Sequence, residues 1–122
     1  MFEGMFDFLT FLSLYGIQEH RGRVYILHSA ALAGRVAEHV KRAASGQPAV
    51  LWLDNDAAGA KAAEVLFQGL ADHAGEVGTM NHLYDGFKDL NDWYTATKPL
   101  TIKQATPKAY IDTAWNQVRP AR

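Results

Sequence analysis

Leu51 to Leu66 reads LWLDNDAAGAKAAEVL. Three apolar residues, Leu51, Trp52 and Leu53, run into two aspartates one residue apart, Asp54 and Asp56. A small-residue turn, Ala57-Ala58-Gly59, follows, and then a helical pattern. With Pro48, Ala49 and Val50 in front, the apolar run reads as a strand that is apolar on both faces, as in the middle of a parallel sheet. Residues i and i+2 of a strand share a side, so the two carboxylates leave the strand end together. Like charges held close disfavour each other's ionisation, and a cation is the first candidate to compensate them. The plainer alternative is a strand-end turn in which Asp54 or Asn55 caps the following helix. Asp56 suits both roles, and Gly59 with its small neighbours lets the backbone turn tightly and leaves room beside the carboxylates.

Outward from this stretch the chain alternates strands and helices. Phe6 to Tyr15 has apolar residues at helical spacing and stops at Gly16. Arg23 to Ser29, short and apolar with Val24 and Ile26, reads as a strand. Ala30 to Gly46 reads as a helix with Leu32, Val36, Val40 and Ala43 as its buried stripe and with Lys41 and Arg42 in its last turns. Ala57 to Ala74 is expected to be a third helix and Val77 to Leu83 a weaker strand. The segment YDGFKDLNDWYTATKP is expected to be a loop passing into a short helix near Leu90, and a last helix is expected over Thr106 to Val118, starting at Pro107.

This order predicts an α/β fold: a Rossmann-like three-layer α/β/α arrangement with a mainly parallel four-stranded sheet. The first strand is expected to be truncated, because only Met1 and Phe2 precede Glu3-Gly4, which reads as a strand end. Two residues are too few to hold a central strand. The alternatives are a fragment of a longer protein, a late start, or a strand completed by a partner.

With 122 residues the chain is long enough for one domain and not for two. Apolar residues make up 48% and charged residues 20%, and the formal net charge is −1, so no overall field favours nucleic acid or a membrane. The absence of cysteine excludes disulfides, thiolate zinc sites and a thiol nucleophile. No apolar run reaches the length of a membrane span, and the N-terminus lacks the basic start of a signal peptide. A cytoplasmic protein without membrane contact is expected.

Glu3 stands at the end of the first expected strand, and Asp54 and Asp56 at the end of the third. In a doubly wound sheet these strands can be neighbours at the switch point, where such sheets hold their ligands. Three carboxylates would then face one crevice. Hard oxygen donors without His or Cys suit Mg²⁺ or Mn²⁺, and such a site suits phosphate chemistry.

At these residues the chain resembles the Toprim domain of bacterial-type primases, topoisomerases and some nucleases. The resemblance rests on Glu3-Gly4 in FEGMFDFL, on Asp54-Asn55-Asp56-Ala57-Ala58-Gly59, and on Lys88-Asp89, in that order. It covers Met1 to about Tyr94, and EGMFDFL with DGFKDLNDWY is most similar to primase-like proteins of mobile elements and plasmids. The resemblance implies that Glu3 acts as general acid or base and touches metal, and that Asp54 and Asp56 bind Mg²⁺ or Mn²⁺. It matches Asp7 to a further acidic position, with a favourable charge at a helix start as the alternative. It gives Lys88 a phosphate contact and Asp89 a second metal or a loop-orienting role, with a helix cap as the alternative. Gly4 and Gly59 are the turn glycines of the pattern.

The resemblance therefore implies a Mg²⁺-dependent domain, residues 1–97, acting on nucleic-acid phosphodiesters. DNA is the expected partner, together with other domains of a longer protein such as a zinc-binding domain. Nucleotidyl transfer in a primase-like protein is the leading reading; a Toprim nuclease and a non-catalytic module that binds nucleic acid or protein are the alternatives. Phosphotransfer receivers and haloacid-dehalogenase-like phosphatases place their essential aspartate at the first strand end, where this chain has Glu3, and are set aside. Residues 98–122 lie outside the resemblance and are expected to be a helical segment packing on the same domain.

Overall fold

In the computed structural model, residues 1–20, 22–43, 48–71, 77–102 and 119–120 are described. The elements are α1 (Met5–Leu14), a 3₁₀ turn (Ala30–Leu32) running into α2 (Ala33–Ala43), β1 (Ala49–Leu51), α3 (Ala57–Gly69), β2 (Val77–Thr79), a 3₁₀ turn (Asn81–Tyr84), α4 (Leu90–Thr97) and β3 (Arg119–Pro120). The chain is mixed α/β, as expected. The last expected helix, Thr106 to Val118, falls outside the described residues.

The sheet differs from the expected mainly parallel four strands. β1 and β2 are parallel, with Ala49 opposite Val77 and Leu51 opposite Thr79, while β3 joins β2 antiparallel. The N-terminal residues enter beside β1 through single-residue bridges. Phe2 is bridged in parallel to Ile26 on one side and to Trp52 on the other. The Phe2 N–H donates to the Tyr25 carbonyl at 2.8 Å, and the Leu27 N–H donates back to Phe2 at 2.9 Å. On the other side the Trp52 N–H donates to the Met1 carbonyl at 2.8 Å. A segment as short as Met1–Glu3 cannot build a longer ladder, so the expected strand over Arg23 to Ser29 shrinks to the bridge at Ile26 among the described residues.

Alternation along Leu51-Trp52-Leu53 decides where the core sits, because successive strand side chains point to opposite faces. Leu51 and Leu53 join Leu27, Ala33, Ala37, Val40, Ala62 and Leu66, on the side of α2 and α3. Trp52 joins Phe2, Phe11, Leu14, Tyr15, Tyr84 and Leu90, on the side of α1 and α4. Its indole packs in a triangle with the rings of Phe2, at a centroid distance of 5.8 Å, and Phe11, at 5.3 Å, which are 5.4 Å from each other. Such offset and tilted ring pairs add roughly 0.5–1.5 kcal/mol each beyond burial.

Two sequence expectations shift. The buried stripe of α2 is Ala33, Ala37 and Val40, and Leu32 is exposed. Ser29 caps the leading 3₁₀ turn through the Ala31 N–H, which turns the helix entry away from the expected register. Small residues suit this stripe because α2 and α3 approach closely: a Cβ on Gly69 would lie 2.6 Å from Ala37 Cβ. The expected strand over Val77 to Leu83 ends at Thr79, after which the chain coils into the 3₁₀ turn under Asn55.

Candidate metal centre

The carboxylates gather where the N-terminal residues, the end of β1 and the start of α4 meet. Glu3 and Asp54 are side by side, the Asp54 N–H donating to Glu3 Oε2 at 3.0 Å. Glu3, Asp54 and Asp56 each offer an oxygen, all within 4.8 Å of one another. Asp7, Asp54 and Asp89 form a second such group with the same spread. Asp54 belongs to both, so all five carboxylates singled out in the sequence come together around it.

Most of these side chains also hold the fold. Asp56 caps α3, with Oδ1 accepting from the Gly59 N–H at 2.7 Å. Asp89 caps α4, accepting from the Asp92 N–H at 2.8 Å. The capping alternatives weighed for these two residues are thus borne out. Asp7 sits in the first turn of α1 and is 5% exposed, its Oδ1 accepting from the Asn91 N–H at 3.1 Å. Among the described residues Asp54 caps no helix, and its buried Oδ1 accepts no hydrogen bond; Lys88 Nζ stands 4.0 Å from Oδ2 with its own side chain 60% exposed. A contact of that length and exposure neutralises little.

The electrostatics follow. Burial pushes the Asp54 carboxyl up to about 7, and Glu3, Asp7, Asp89 and Asp56 push in the same direction. Asp7 is pushed up to about 6, again by burial first, with the Asn91 hydrogen bond opposing and Asp89, Glu3 and Asp92 adding to the rise. Buried like charges without a counter-charge favour the protonated form. Among the described residues the donor set is carboxylate oxygen alone, the kind hard divalent cations take. A buried carboxylate oxygen without a partner, within reach of two others, fits such an ion.

The two pattern glycines divide. A Cβ on Gly59 would overlap the Asp54 carbonyl oxygen, so the start of α3 can lie against the strand end only with glycine there. Gly4 has an extended backbone, φ −126°, and a Cβ there would make an ordinary 3.5 Å contact with Asp7 Oδ2. Nothing in the backbone demands glycine at Gly4. His28 is exposed, with φ 57°. Lys61 faces solvent and pairs with Glu64 at 3.6 Å. Trp93 and Tyr94 pack, partly buried, against the aromatic cluster.

Two further residues stand beside the carboxylates: Tyr84, to which the sequence reading gives no role, and Asn55, read there only as an alternative helix cap, a place that Asp56 takes. Tyr84 is fully buried, and its hydroxyl donates to the Leu53 carbonyl at 2.6 Å, just before Asp54. Asn55, between the two aspartates, bonds to the segment that carries Lys88-Asp89. Its only signal in the sequence is a side-chain amide at a strand end, a residue type that bonds readily to nearby backbone.

An acidic centre at a strand end, hard in donor type and built between helix starts, could hold a divalent cation of the kind that serves phosphate chemistry. The Toprim-like family model matches residues 1–94, and the chain belongs to that family. Toprim domains bind Mg²⁺ through acidic residues and act on nucleic acids. Neither a curated protein nor a solved structure matches the chain significantly. No helix among the described residues is long and apolar enough to cross a membrane.

Proposed function

We propose that this chain is a Mg²⁺-dependent Toprim domain in which Glu3, Asp54 and Asp56 hold the cation, and that it carries nucleotidyl transfer in a primase-like protein acting on DNA. The observation that carries the reading is Asp54, whose buried Oδ1 has no partner while Glu3 and Asp56 offer oxygens within 4.8 Å. When bound, the ion would polarise phosphate oxygens and neutralise developing charge. Glu3 would take up or release a proton at its carboxylate, held in place by the Asp54 N–H on Oε2. Asp56 would orient one oxygen while its other caps α3. Asp7 and Asp89 would supplement the site from the α1 and α4 side, and Lys88, exposed at its mouth, would contact a substrate phosphate.

The domain on this reading spans residues 1–97, with the Rossmann-like strand order running from Ile26 through Phe2 to Trp52 and on to β2. Beyond it, Arg119–Pro120 pair with β2 as β3. A cytoplasmic setting and further domains in a longer protein, a zinc-binding one among them, belong to the same reading.

The first test is a calorimetric Mn²⁺ titration of the chain and of Asp54→Asn. Binding by the first and not the second is expected. Binding by neither favours a Toprim-like module that holds nucleic acid or protein without catalysis, a reading to which the net charge of −1 also lends weight. A DNA substrate that is extended rather than cut separates nucleotidyl transfer from a nuclease.

A further inference from the structure

Among the described residues, the hydrogen-bond partners of the Asn55 side chain all belong to one segment, residues 81–87. Asn55 Nδ2 lies 3.2 Å from each of three carbonyl oxygens, those of Asn81, Tyr84 and Phe87. Its Oδ1 accepts from Asn81 Nδ2 at 3.1 Å. Its main-chain N–H donates to the Lys88 carbonyl at 2.6 Å. Carbonyl oxygens only accept, so the amide group must be the end that faces them, and its two hydrogens are shared among three acceptors. The bonded positions bracket the 3₁₀ turn and stop one residue short of Asp89.

Residues 81–88 are tied to the strand that carries Asp54 by this clamp, by the Tyr84 hydroxyl on the Leu53 carbonyl at 2.6 Å and by the Lys88 contact at 4.0 Å, and among these hydrogen bonds those that reach residues 87 and 88, next to Asp89, come from Asn55. Asp89's own hydrogen bond, to the Asp92 N–H, fixes it only to α4. The end of the segment nearest Asp89 is therefore held to the Asp54 strand end through Asn55. We infer that Asn55 is a positioning residue for the metal centre: it fixes the 81–88 segment so that Asp89 stands beside Asp54 and Asp7. The middle position of Asp54-Asn55-Asp56 is a working part of the motif rather than a spacer. This rests on the reading of the carboxylates as a cation site.

The test is a cycle of Mn²⁺ titrations on the full chain: wild type, Asn55→Ala, Asp89→Asn and the double variant. Asn55→Ala is expected to weaken Mn²⁺ binding by about tenfold to a hundredfold, as loss of a group that orients a ligand does. Because Asn55 acts through Asp89, adding Asn55→Ala to Asp89→Asn is expected to cost little more. Losses that multiply, or an Asn55→Ala chain that binds as wild type does, overturn the inference. A general loosening of the fold would multiply with Asp89→Asn, so the cycle tells positioning from bulk stability. Should Asn55→Ala fail to fold by circular dichroism, Asn81→Ala, which removes the return bond to Oδ1 and the acceptor of the Thr79 hydroxyl, takes its place in the cycle. Weakened binding that depends on Asp89 supports the inference, and unchanged binding overturns it. A wild type that binds no Mn²⁺ overturns the cation reading itself, and with it this one.

Discussion

The Asp54 main-chain N–H donates to Glu3 Oε2 at 3.0 Å, across 51 positions of sequence. One carboxylate thus orients the backbone of the residue that carries the next. Glu3→Ala is expected to leave that half-buried N–H without its acceptor, at about 1–3 kcal/mol, and to weaken Mn²⁺ binding as well. Glu3→Gln keeps an oxygen for the N–H and loses only the charge. Urea unfolding with parallel Mn²⁺ titration separates the two: Gln is expected to recover most of the stability and little of the binding. Equal stability loss in both variants would contradict the role of the hydrogen bond.

The pH dependence follows from Asp54 and Asp7, whose carboxyls rise to about 7 and about 6 in the fold from an ordinary value of 3.8. Below 3.8 both states hold these protons. As pH rises from there toward 7 the unfolded chain has released them and the folded chain has not yet done so, so stability falls with rising pH. The metal-free protein is expected to melt at a higher temperature at pH 5 than at pH 7.5. Mg²⁺ is expected to raise the melting temperature more at pH 7.5, where the carboxylates are charged. A metal-free melting temperature that climbs over this range would contradict the burial of the cluster.

Gly59→Ala reverses an ordinary rule. In an exposed helix the change gains up to about 1 kcal/mol through propensity. Here the added Cβ overlaps the Asp54 carbonyl oxygen, and forced overpacking costs about 1–3 kcal/mol. Net destabilisation is expected in urea unfolding, with weaker Mn²⁺ binding because the strand end that carries Asp54 must move. A stabilised variant would show that α3 can shift freely against the strand.

Tyr84→Phe removes the hydroxyl that donates to Leu53 at 2.6 Å and leaves a buried carbonyl without a partner. The expected loss is about 1–2 kcal/mol of stability, read as a lower urea midpoint with an unchanged slope.

Much of the site was legible because its parts are local. Strand ending in Asp54, helix beginning after Asp56, cap at Asp89: each depends on neighbours a few residues away, where turn and cap chemistry act. What the sequence hid depends on distant partners. Leu32 looked buried by spacing, yet the Ser29 cap turns it outward. The truncated first strand was legible, but not its partners: Phe2 bonds to Tyr25 and Leu27, and the Trp52 N–H donates to the Met1 carbonyl, all from far along the chain. Asn55 gave no pattern of its own, because its partners are carbonyl groups, which every residue carries.

Leu51, Trp52 and Leu53 send side chains alternately into both apolar clusters. A single stretch of backbone is therefore common property of two cores, and neither can open without releasing it. The domain is expected to behave as one cooperative unit, with the amides of Leu51 to Leu53 exchanging with solvent only on global unfolding. The carboxylates at the end of that stretch inherit its rigidity, so the centre is preserved as long as the fold is.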